Sequence, residues 1–330
     1  MLNKGVGILG VGSSIPEKIL TNSDLEKMVE TSDEWILKRT GISQRHILDE
    51  NAPAYMLGVE AANKALKDAG ISAEEIDLII VATETPDYLT PSTSSIIQKN
   101  IGAVKAAVFD LNAACSGFVY ALTVAHQFIK TAYYKYVLVI GCEGLSKVVD
   151  WNDRKTCVLF GDAAAAAVLG PVESGFGIIT THIGADGRLG HNITIPCCYC
   201  SEEDAEKRQN GVKRVLWMDG SEVFKFAVKI MDQATRKVVE DASLTIDDIK
   251  LIIPHQANIR IIDGAAKRLG LPEDRVFANV KNYGNVSSAS IPLALGEAIK
   301  KNRIQRGDNI ILVGFGGGLT WASALIKWGR

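Results

Sequence analysis

The sequence predicts an α/β protein made of two halves with the same topology. Short runs rich in β-branched residues lie at 76–83, 136–141, 251–254 and 309–314, and helical segments such as 54–70 lie between them. Near-continuous apolar strands that alternate with helices are typical of sheets covered on both faces. A chain of 330 residues is long enough for two such units.

An internal repeat supports the two halves. Residues 68–83 (DAGISAEEIDLIIVAT) align with 241–256 (DASLTIDDIKLIIPHQ) at an offset of 173 residues, with six identities. The same offset places 138–141 over 311–314. Matches in one register indicate a duplication of a structural unit.

The repeat also predicts where a site would lie. It places Cys115 opposite Ser288 and close to Asn285. We predict an N-terminal half, 1–172, and a C-terminal half, 173–330. Duplicated halves pack together, and a site at their junction draws residues from both.

The composition excludes several classes of protein. The net charge of −2 gives no overall basic field for nucleic acid. The chain has no apolar run near the ~20 residues that cross a bilayer. Its first ten residues lack the features of a signal peptide, and its six cysteines follow no disulfide pattern. We therefore expect a cytoplasmic protein that binds neither membrane nor nucleic acid.

Two glycine- and cysteine-containing patterns are misleading. Gly5, Gly7 and Gly10 match a dinucleotide fingerprint, but they lie inside the first strand-like run instead of after a complete strand. The cluster Cys197-Cys198-Tyr199-Cys200 lacks the second pair or histidines at matched spacing that a zinc site needs. We predict no nucleotide cofactor, no metal, and a surface insertion at these cysteines, whose role the sequence does not give.

Two helices are predicted near the N-terminus. The run 23–30 has a helical pattern. Thr31 and Glu34 have the spacing of a capping box, which predicts a helix that starts at Thr31 and carries Trp35 and Arg39.

Cys115 lies between a predicted strand, 108–111, and a predicted helix, 116–130. A thiol at a helix N-terminus is favoured as thiolate by the helix dipole. Free cysteine is also among the most buried residue types. The local sequence fits a nucleophile and a packed thiol equally well.

Three features of the second half each fit both a functional and a structural interpretation. His255 follows Pro254 where the chain leaves a strand, which fits a catalytic or a structural histidine. Asn285 lies in a glycine-containing turn and fits a site residue or a cap. The glycines of GFGGGLTW (314–321) fit an oxyanion hole or a flexible loop.

Taken together, these motifs resemble the β-ketoacyl-acyl carrier protein synthase III family of the thiolase superfamily. The resemblance runs in order along nearly the whole chain and rests on TSDEWI, RTGI, AACSGF, FGDAAAAAVL, PHQAN, GNVSSAS and FGGGLTWAS. It implies a thiolase-like fold with two similar halves packed as five layers, α-β-α-β-α. It further implies a homodimer, no cofactor, and a Cys–His–Asn site between the halves.

The resemblance assigns roles to individual residues. Cys115 matches the nucleophile, His255 the catalytic histidine and Asn285 the asparagine, while the N–H groups of Gly317 and Cys115 match the oxyanion hole. The family condenses an acyl-CoA primer with malonyl-acyl carrier protein and releases carbon dioxide and CoA, the first step of fatty acid biosynthesis. The implied partners are therefore acyl-CoA and acyl carrier protein.

Further residues match binding positions of the family. Those for CoA are Trp35, Arg39, Arg154, Phe224 and Asn258. Those for the acidic carrier protein are Lys225, Arg260, Lys267 and Arg268, each of which equally fits a solvated basic face. Thr90 stands where acetyl-specific members often carry phenylalanine, which predicts a primer that is longer than acetyl or branched.

Several other functions fit parts of the pattern. A polyketide-type condensing enzyme and a 3-hydroxy-3-methylglutaryl-CoA synthase share the fold and the kind of site. A papain-like protease shares the residue types but carries its cysteine near the mature N-terminus with other flanking residues. A non-catalytic dimeric scaffold of the same fold is the alternative from a different class.

Overall fold

The computed structural model describes residues 4–207 and 214–330. The first half contains, in chain order, β1 (Gly5–Ser14), β2 (Ile19–Thr21), α1 (Asn22–Leu25), α2 (Asp33–Thr40), β3 (Gln44–His46), α3 (Tyr55–Ala69), β4 (Leu78–Ala82), α4 (Thr93–Ile101), β5 (Ala107–Leu111), α5 (Gly117–Lys130), β6 (Val137–Gly144) and β7 (Asp162–Val172). The second half contains β8 (Gly177–Ala185), β9 (Ile193–Thr194), α6 (Glu202–Glu206), β10 (Trp217–Met218), α7 (Gly220–Asp241), β11 (Leu251–Pro254), α8 (Ile259–Leu269), α9 (Val280–Tyr283), α10 (Ser290–Lys300), β12 (Asn309–Gly316) and β13 (Thr320–Lys327).

Two large sheets form the framework. The first has the strand order β1-β7-β6-β4-β5, and the second has β11-β12-β13-β8. In the first sheet β6, β4 and β5 are parallel, and in the second β11 and β12 are parallel. The strands beyond them, β7 and β1 in the first sheet and β13 and β8 in the second, pair antiparallel. In the part of the chain that the structure describes, a single bridge between Ile252 and Val276 stands in the second sheet where the first has the full strand β5.

Helices cover both sheets in five layers. Helices α5 and α10 lie between the sheets and form one core with both of them; Phe118, Leu122, Ile291 and Leu295 are fully buried in it. Helices α3 and α4 cover the outer face of the first sheet, and α7 and α8 that of the second. The predicted thiolase-like α-β-α-β-α arrangement is therefore confirmed.

The duplication is visible residue by residue. At the offset of 173, the short 3₁₀ turn Ala114–Ser116 before α5 matches the 3₁₀ turn Ser287–Ala289 before α10. Both turns begin at a residue with positive φ, 48° at Ala114 and 44° at Ser287. We call them the cysteine elbow and the serine elbow. The first sheet ends at Val172 and the second begins at Gly177; a domain boundary between 172 and 173 stays a prediction.

Most predicted elements agree with the structure, and two N-terminal ones were wrong. The helix predicted over 23–30 ends at Leu25, because the chain after it tightens into turns of the 3₁₀ type. The next helix starts one residue later than predicted: Ser32, not Thr31, is the cap, and its Oγ accepts the N–H of Trp35 at 3.1 Å. Trp35 occupies the third helical position, so no capping box with Glu34 forms.

Over residues 4–207 and 214–330, none of the helices is long and apolar enough to span a membrane.

Candidate active site

The cysteine elbow holds Cys115 at the carboxyl end of β5 and at the start of α5. The Ala114 N–H donates to Oδ1 of Asn112 at 3.1 Å, and the Ser116 Oγ donates to the Ala113 carbonyl at 2.8 Å. These bonds fix a tight turn that presents the half-buried sulfur toward the other half of the molecule.

Glycines of each half make room for the elbow of the other half. A Cβ at Gly316 would lie 2.6 Å from the Cys115 nitrogen, and one at Gly141 would lie 2.5 Å from the Ser288 oxygen. Only a missing side chain allows backbones to approach this closely. Thr320 joins the glycine turn to the cysteine elbow, since its Oγ1 bonds the Ala113 carbonyl at 3.0 Å and the Ser116 Oγ at 2.8 Å.

His255 lies at the end of β11, where its backbone N–H still bonds Val313. The side chain is 1% exposed, and the edge of its ring meets Phe315 with the ring centroids 5.3 Å apart. Burial lowers its pKa to about 3, so the imidazole is neutral at neutral pH. A Cβ at Gly314 would lie 3.5 Å from the His255 Cβ and 3.6 Å from the Cys115 carbonyl oxygen, which places the two residues side by side.

The hydrogen bonds of His255 define its tautomer. Ser290 Oγ lies 2.6 Å from Nδ1 and accepts the N–H of Gln256 at 3.4 Å. With the Ser290 proton donated to Nδ1, the ring proton lies on Nε2; we assign this tautomer because it uses the hydroxyl proton. Within the described residues, Nε2 is buried without a hydrogen-bond partner. An orphaned donor of this kind is costly unless a bound group accepts from it.

Asn285 reaches the same place from the serine elbow. Its backbone pairs with the segment after β6, through Leu159 at 2.8 Å and Gly161 at 3.0 Å. Its Oδ1 accepts the N–H of Ser287 at 2.9 Å, which orients the amide. Ser287 in turn bonds Oε1 of Glu84, the same oxygen that lies 4.0 Å from the Cys115 sulfur, so the segment that carries Asn285 meets the cysteine elbow at the junction of the halves.

Two carboxyl groups at this junction, one half-buried and one fully buried, were missed by sequence reasoning. Oε1 of Glu84 lies 4.0 Å from the sulfur of Cys115 and accepts a hydrogen bond from Ser287. Glu143 is fully buried and bonds Ser288 and Thr85, each at 2.6 Å. Glu84 follows β4 and Glu143 is the last residue but one of β6, so both lie at the carboxyl ends of neighbouring parallel strands, and that placement was the available signal.

Burial and charge shift the pKa values of these groups. Burial raises the pKa of the Cys115 thiol well above its usual value, and the carboxyl of Glu84 raises it further. Burial, with Glu84 nearby, raises the pKa of Glu143 to about 8. Burial also raises the pKa of Glu84, against the hydrogen bond from Ser287.

Gln256 is another polar residue that the sequence did not single out. Its Nε2 donates to the carbonyls of Pro254 at 2.7 Å and Phe277 at 3.1 Å. Its Oε1 accepts the N–H of Asn279 at 2.8 Å. The side chain therefore ties the turn that carries His255 to the segment that leads to Asn285.

Three predicted CoA residues form one group on the surface. The guanidinium carbons of Arg39 and Arg154 lie 4.9 Å and 5.1 Å from the ring centroid of Trp35. Arg154 is exposed and donates to the Glu30 carbonyl at 2.7 Å, beside a surface pocket of ≈ 320 Å³. An indole with two guanidinium groups suits a flat, anionic ligand such as the adenosine phosphate part of CoA.

The other two CoA candidates lie between α7 and α8. Phe224 is half-buried, and the guanidinium of Arg260 lies 5.7 Å from its ring centroid. Asn258 caps α8 by accepting the N–H of Arg260 at 2.9 Å and donates to the Arg39 carbonyl at 3.0 Å. Both ends of its amide are engaged, so the structure gives it a structural role as well.

The four basic candidates are all exposed, but their surroundings differ. Lys225 pairs with Glu222 at 2.6 Å, and Arg268 lies 3.7 Å from Asp232. Arg260 and Lys267 are two turns apart and lie on the same side of α8.

Thr90 and the cysteine cluster are on the surface. Thr90 is exposed beside Leu89, which is 67% exposed. Cys197 and Cys198 are exposed, with sulfurs 3.8 Å apart. In the part of the chain that the structure describes, no cluster of histidine, cysteine or acidic side chains is arranged to hold a metal ion.

The duplicated five-layer fold, with a cysteine elbow at the junction of its halves, defines the thiolase-like class of condensing enzymes. A family model described as 3-oxoacyl-[acyl-carrier-protein (ACP)] synthase III matches residues 109–187. A second model, described as the C-terminal part of the same synthase, matches residues 239–328. The β-ketoacyl-[acyl-carrier-protein] synthase III of Caldanaerobacter subterraneus subsp. tengcongensis is 54% identical over 328 residues, 98% of each chain. The chain belongs to the β-ketoacyl-acyl carrier protein synthase III family.

Solved structures agree. The β-ketoacyl-acyl carrier protein synthase III of Thermus thermophilus has a TM-score of 0.92 at 46% identity, over 98% of this chain and 99% of that one. The priming β-ketosynthase of a polyketide biosynthetic pathway has a TM-score of 0.91 at 35% identity, over 99% and 97%.

Proposed function

We propose that this chain condenses an acyl-CoA primer with malonyl-acyl carrier protein and so initiates fatty acid biosynthesis. The observation that carries the proposal is the junction itself: a cysteine elbow beside a buried, neutral histidine whose Nε2–H has no partner among the described residues. The family to which the chain belongs supplies the reaction.

The first half-reaction transfers the acyl group to Cys115. The sulfur attacks the thioester carbonyl, and the carbonyl oxygen becomes an oxyanion. The N–H groups of Cys115 and Gly317 are the proposed donors to it, because the glycine turn lies against the elbow. Removing one such donor typically costs 10²–10³-fold in kcat. CoA then leaves and frees the channel for the second substrate.

The second half-reaction builds the carbon–carbon bond. Loss of carbon dioxide from the malonyl thioester leaves an enolate, whose oxygen carries the developing charge. The Nε2–H of His255 and the amide of Asn285 are the proposed donors to that oxygen. A neutral histidine suits this role, since the Ser290 hydroxyl occupies Nδ1 and the proton on Nε2 is free to be donated to the enolate oxygen. The resulting carbanion attacks the acyl group on Cys115, and two half-reactions at one cysteine give ping-pong kinetics.

The reaction needs side chains and backbone N–H groups only, so we expect no cofactor. We place the adenosine end of CoA at Trp35, Arg39 and Arg154, and its pantetheine arm near Phe224 and Asn258. The chemistry consumes CoA and carrier protein thioesters, and this fits the expected cytoplasmic location.

A homodimer is supported by the free edge of the first sheet. Strand β5 is the last strand of that sheet, and its residues 108–111 are only partly buried in this chain. An unprotected edge strand of this length invites pairing with another strand. A second copy related by a two-fold axis would add its own β5 antiparallel to this one.

The carrier protein is expected to bind at α7 and α8. Lys225, Arg260, Lys267 and Arg268 are exposed there, and Arg260 contacts Phe224 of the proposed channel. Positive side chains around a channel mouth attract an acidic partner and orient it. Because Arg268 already lies near Asp232, we expect Arg260 and Lys267 to contribute most.

The experiment that tests the function is product analysis with purified protein. Acyl-CoA and malonyl-acyl carrier protein should give β-ketoacyl-acyl carrier protein, CoA and carbon dioxide in equal amounts. Condensation of acetyl-CoA with acetoacetyl-CoA and water, giving 3-hydroxy-3-methylglutaryl-CoA and CoA, would contradict the proposal. Activity only with primers and carrier proteins of polyketide assembly would instead make the chain a polyketide-type condensing enzyme. If no thioester is turned over, the alternative that agrees with the result is a non-catalytic scaffold.

A further inference from the structure

Glu84 is a half-buried titratable group that the condensation chemistry above does not use. Its Oε1 lies 4.0 Å from the sulfur of Cys115, at the outer limit of an S–H···O hydrogen bond. The same oxygen accepts from Ser287, the residue that also orients Asn285. Glu84 therefore links the nucleophile of one half to the serine elbow of the other.

Glu143 holds the proton of the carboxyl pair. The Oγ of Ser288 has one proton but faces two acceptors, the Ala82 carbonyl at 2.9 Å and Oε1 of Glu143 at 2.6 Å. Both contacts become full hydrogen bonds when Glu143 carries a proton and donates it to Ser288, which then donates to the Ala82 carbonyl. Its other oxygen accepts the N–H of Glu84 at 3.2 Å. A neutral Glu143 leaves Glu84 as the group that gains and loses charge.

The surroundings of Glu84 make it a proton acceptor and not a partner for a resting thiolate. The groups that contact it are the Cys115 thiol, the Ser287 hydroxyl and, through its backbone N–H, the neutral Glu143. Neither carboxyl is among the ion pairs of residues 4–207 and 214–330. A carboxylate beside sulfur disfavours a standing thiolate. It favours removal of the thiol proton at the moment of attack.

We infer that Glu84 is a further catalytic residue, the general base that takes the Cys115 proton during acyl transfer. As the bond from sulfur to the primer carbonyl forms, the thiol proton passes to Oε1 of Glu84. The bond from that carbonyl to the CoA sulfur then breaks, and Glu84 returns the proton to it. CoA leaves as a thiol, Glu84 is a carboxylate again, and no other reactant is needed.

This inference rests on the proposed acyl transfer. Two reactions of the Cys115 sulfur, acylation by acyl-CoA and alkylation by iodoacetamide, allow the role of Glu84 to be tested apart from the proposed function. The variants are Glu84→Gln, Glu84→Asp and, as a matched control, Glu240→Gln at an exposed position on α7. Single-turnover acylation by acetyl-CoA and isobutyryl-CoA is followed by intact-protein mass spectrometry from pH 6 to 8. Alkylation by iodoacetamide, which reads the thiolate fraction alone, is measured in parallel.

We expect Glu84→Gln to slow acylation about 10²-fold at pH 7, the usual size of a general-base effect. Its rate should rise about tenfold per pH unit, as the thiolate fraction does, whereas the wild-type rate changes little. Iodoacetamide should react faster with Glu84→Gln than with the wild type, because the carboxylate charge is gone. Glu84→Asp should acylate faster than Glu84→Gln but more slowly than the wild type. The control Glu240→Gln should acylate at the wild-type rate.

Three results would overturn the inference. Acylation of Glu84→Gln at or above the wild-type rate would mean that Glu84 only raises the thiol pKa. Equal slowing of acylation and alkylation would mean a displaced elbow and a structural role. A wild-type protein that iodoacetamide modifies but acyl-CoA does not would remove the proposed function as well.

Discussion

Gly316 lies directly against Cys115, and a methyl group on this glycine would be 2.6 Å from the cysteine nitrogen. The two residues belong to different halves of the chain. Their contact fixes the distance between the proposed nucleophile and the glycine turn that carries Gly317. The geometry of the site is thus set by the packing of one backbone on another.

Gly316→Ala should therefore separate the elbow from the glycine turn. Overpacking of this kind costs about 1–3 kcal/mol of unfolding free energy, and a displacement near 1 Å lowers catalysis about 10²-fold. Urea unfolding and acylation of Cys115 measure the two effects. The control is Gly296→Ala in α10, where a Cβ meets open space and a helix gains about 0.5–1 kcal/mol. Wild-type acylation in Gly316→Ala would refute the close approach.

The CoA site gives a prediction about KM. Trp35→Ala should raise KM for acyl-CoA about 5–100-fold, because base–aromatic stacking is worth about 1–3 kcal/mol. Arg154→Ala should raise it about 2–5-fold, the effect of an exposed cation–π contact. KM for malonyl-acyl carrier protein should stay constant in both, and Lys300→Ala, at an exposed position at the end of α10, should behave as wild type. An equal rise for both substrates would contradict the assignment.

His255 and Asn285 should act mainly in the second half-reaction. Replacing either by alanine removes one donor to the enolate, so decarboxylation of malonyl-acyl carrier protein should fall about 10²–10³-fold. Acylation of Cys115 should fall much less. Release of labelled carbon dioxide and mass spectrometry of the acyl-enzyme measure the two steps. The reverse ranking would overturn the roles given to these residues.

The raised pKa of Glu143 predicts that the free energy of unfolding falls as the pH rises. Its pKa is raised from 4.5 to about 8, so the folded protein keeps a proton that the unfolded chain has lost. This stability is complete below about pH 4.5 and is lost as pH rises to 8. Histidines with lowered pKa values, such as His255 (about 3) and His126 (about 4), change stability only below about pH 6.5.

The measurement is urea unfolding between pH 6.5 and 8. The wild type should lose about 1.4 kcal/mol per pH unit from this group. Glu143→Gln, which mimics the protonated acid, should lose less over the same range. Glu240→Gln should keep the wild-type slope. The same slope in Glu143→Gln and wild type would show that Glu143 is ionised in the folded protein.

Thr90 predicts the breadth of primers. We expect the wild type to accept isobutyryl-CoA and octanoyl-CoA as well as acetyl-CoA. Thr90→Phe should keep acetyl transfer and lose most of the octanoyl rate, because a larger side chain shortens the pocket of the dimer. The matched change is Thr90→Ser, which should leave the ratios unchanged. A strict acetyl preference in the wild type would end this hypothesis.

The fold could be predicted well because its signals are local or repeated. Strand β11 was placed to the residue, since four apolar residues end at Pro254, which stops the ladder. The repeat at 173 predicted that Cys115 and Ser288 are equivalent, and both lie in matching elbows. The start of α2 was wrong by one residue, because Thr31 and Ser32 are both good caps and tertiary packing selects between them.

The site was predictable only in part. Motifs pointed to Cys115, His255 and Asn285, but nothing in the sequence places Glu84 beside a cysteine 31 positions away. The hydroxyl of Ser290, which fixes the histidine tautomer, is likewise 35 positions from its partner. Each pairing lies within one half and depends on how the turns after neighbouring strands come together, and a single sequence carries no distance between those turns.

The central claim is that Cys115 carries the acyl group and passes it to malonyl-acyl carrier protein. Intact-protein mass spectrometry after incubation with acyl-CoA, before and after addition of malonyl-acyl carrier protein, tests it most directly. We predict one acyl adduct per chain that is absent in Cys115→Ala and that disappears as β-ketoacyl-acyl carrier protein forms. An adduct that persists in Cys115→Ala, or one that malonyl-acyl carrier protein does not discharge, would contradict the claim.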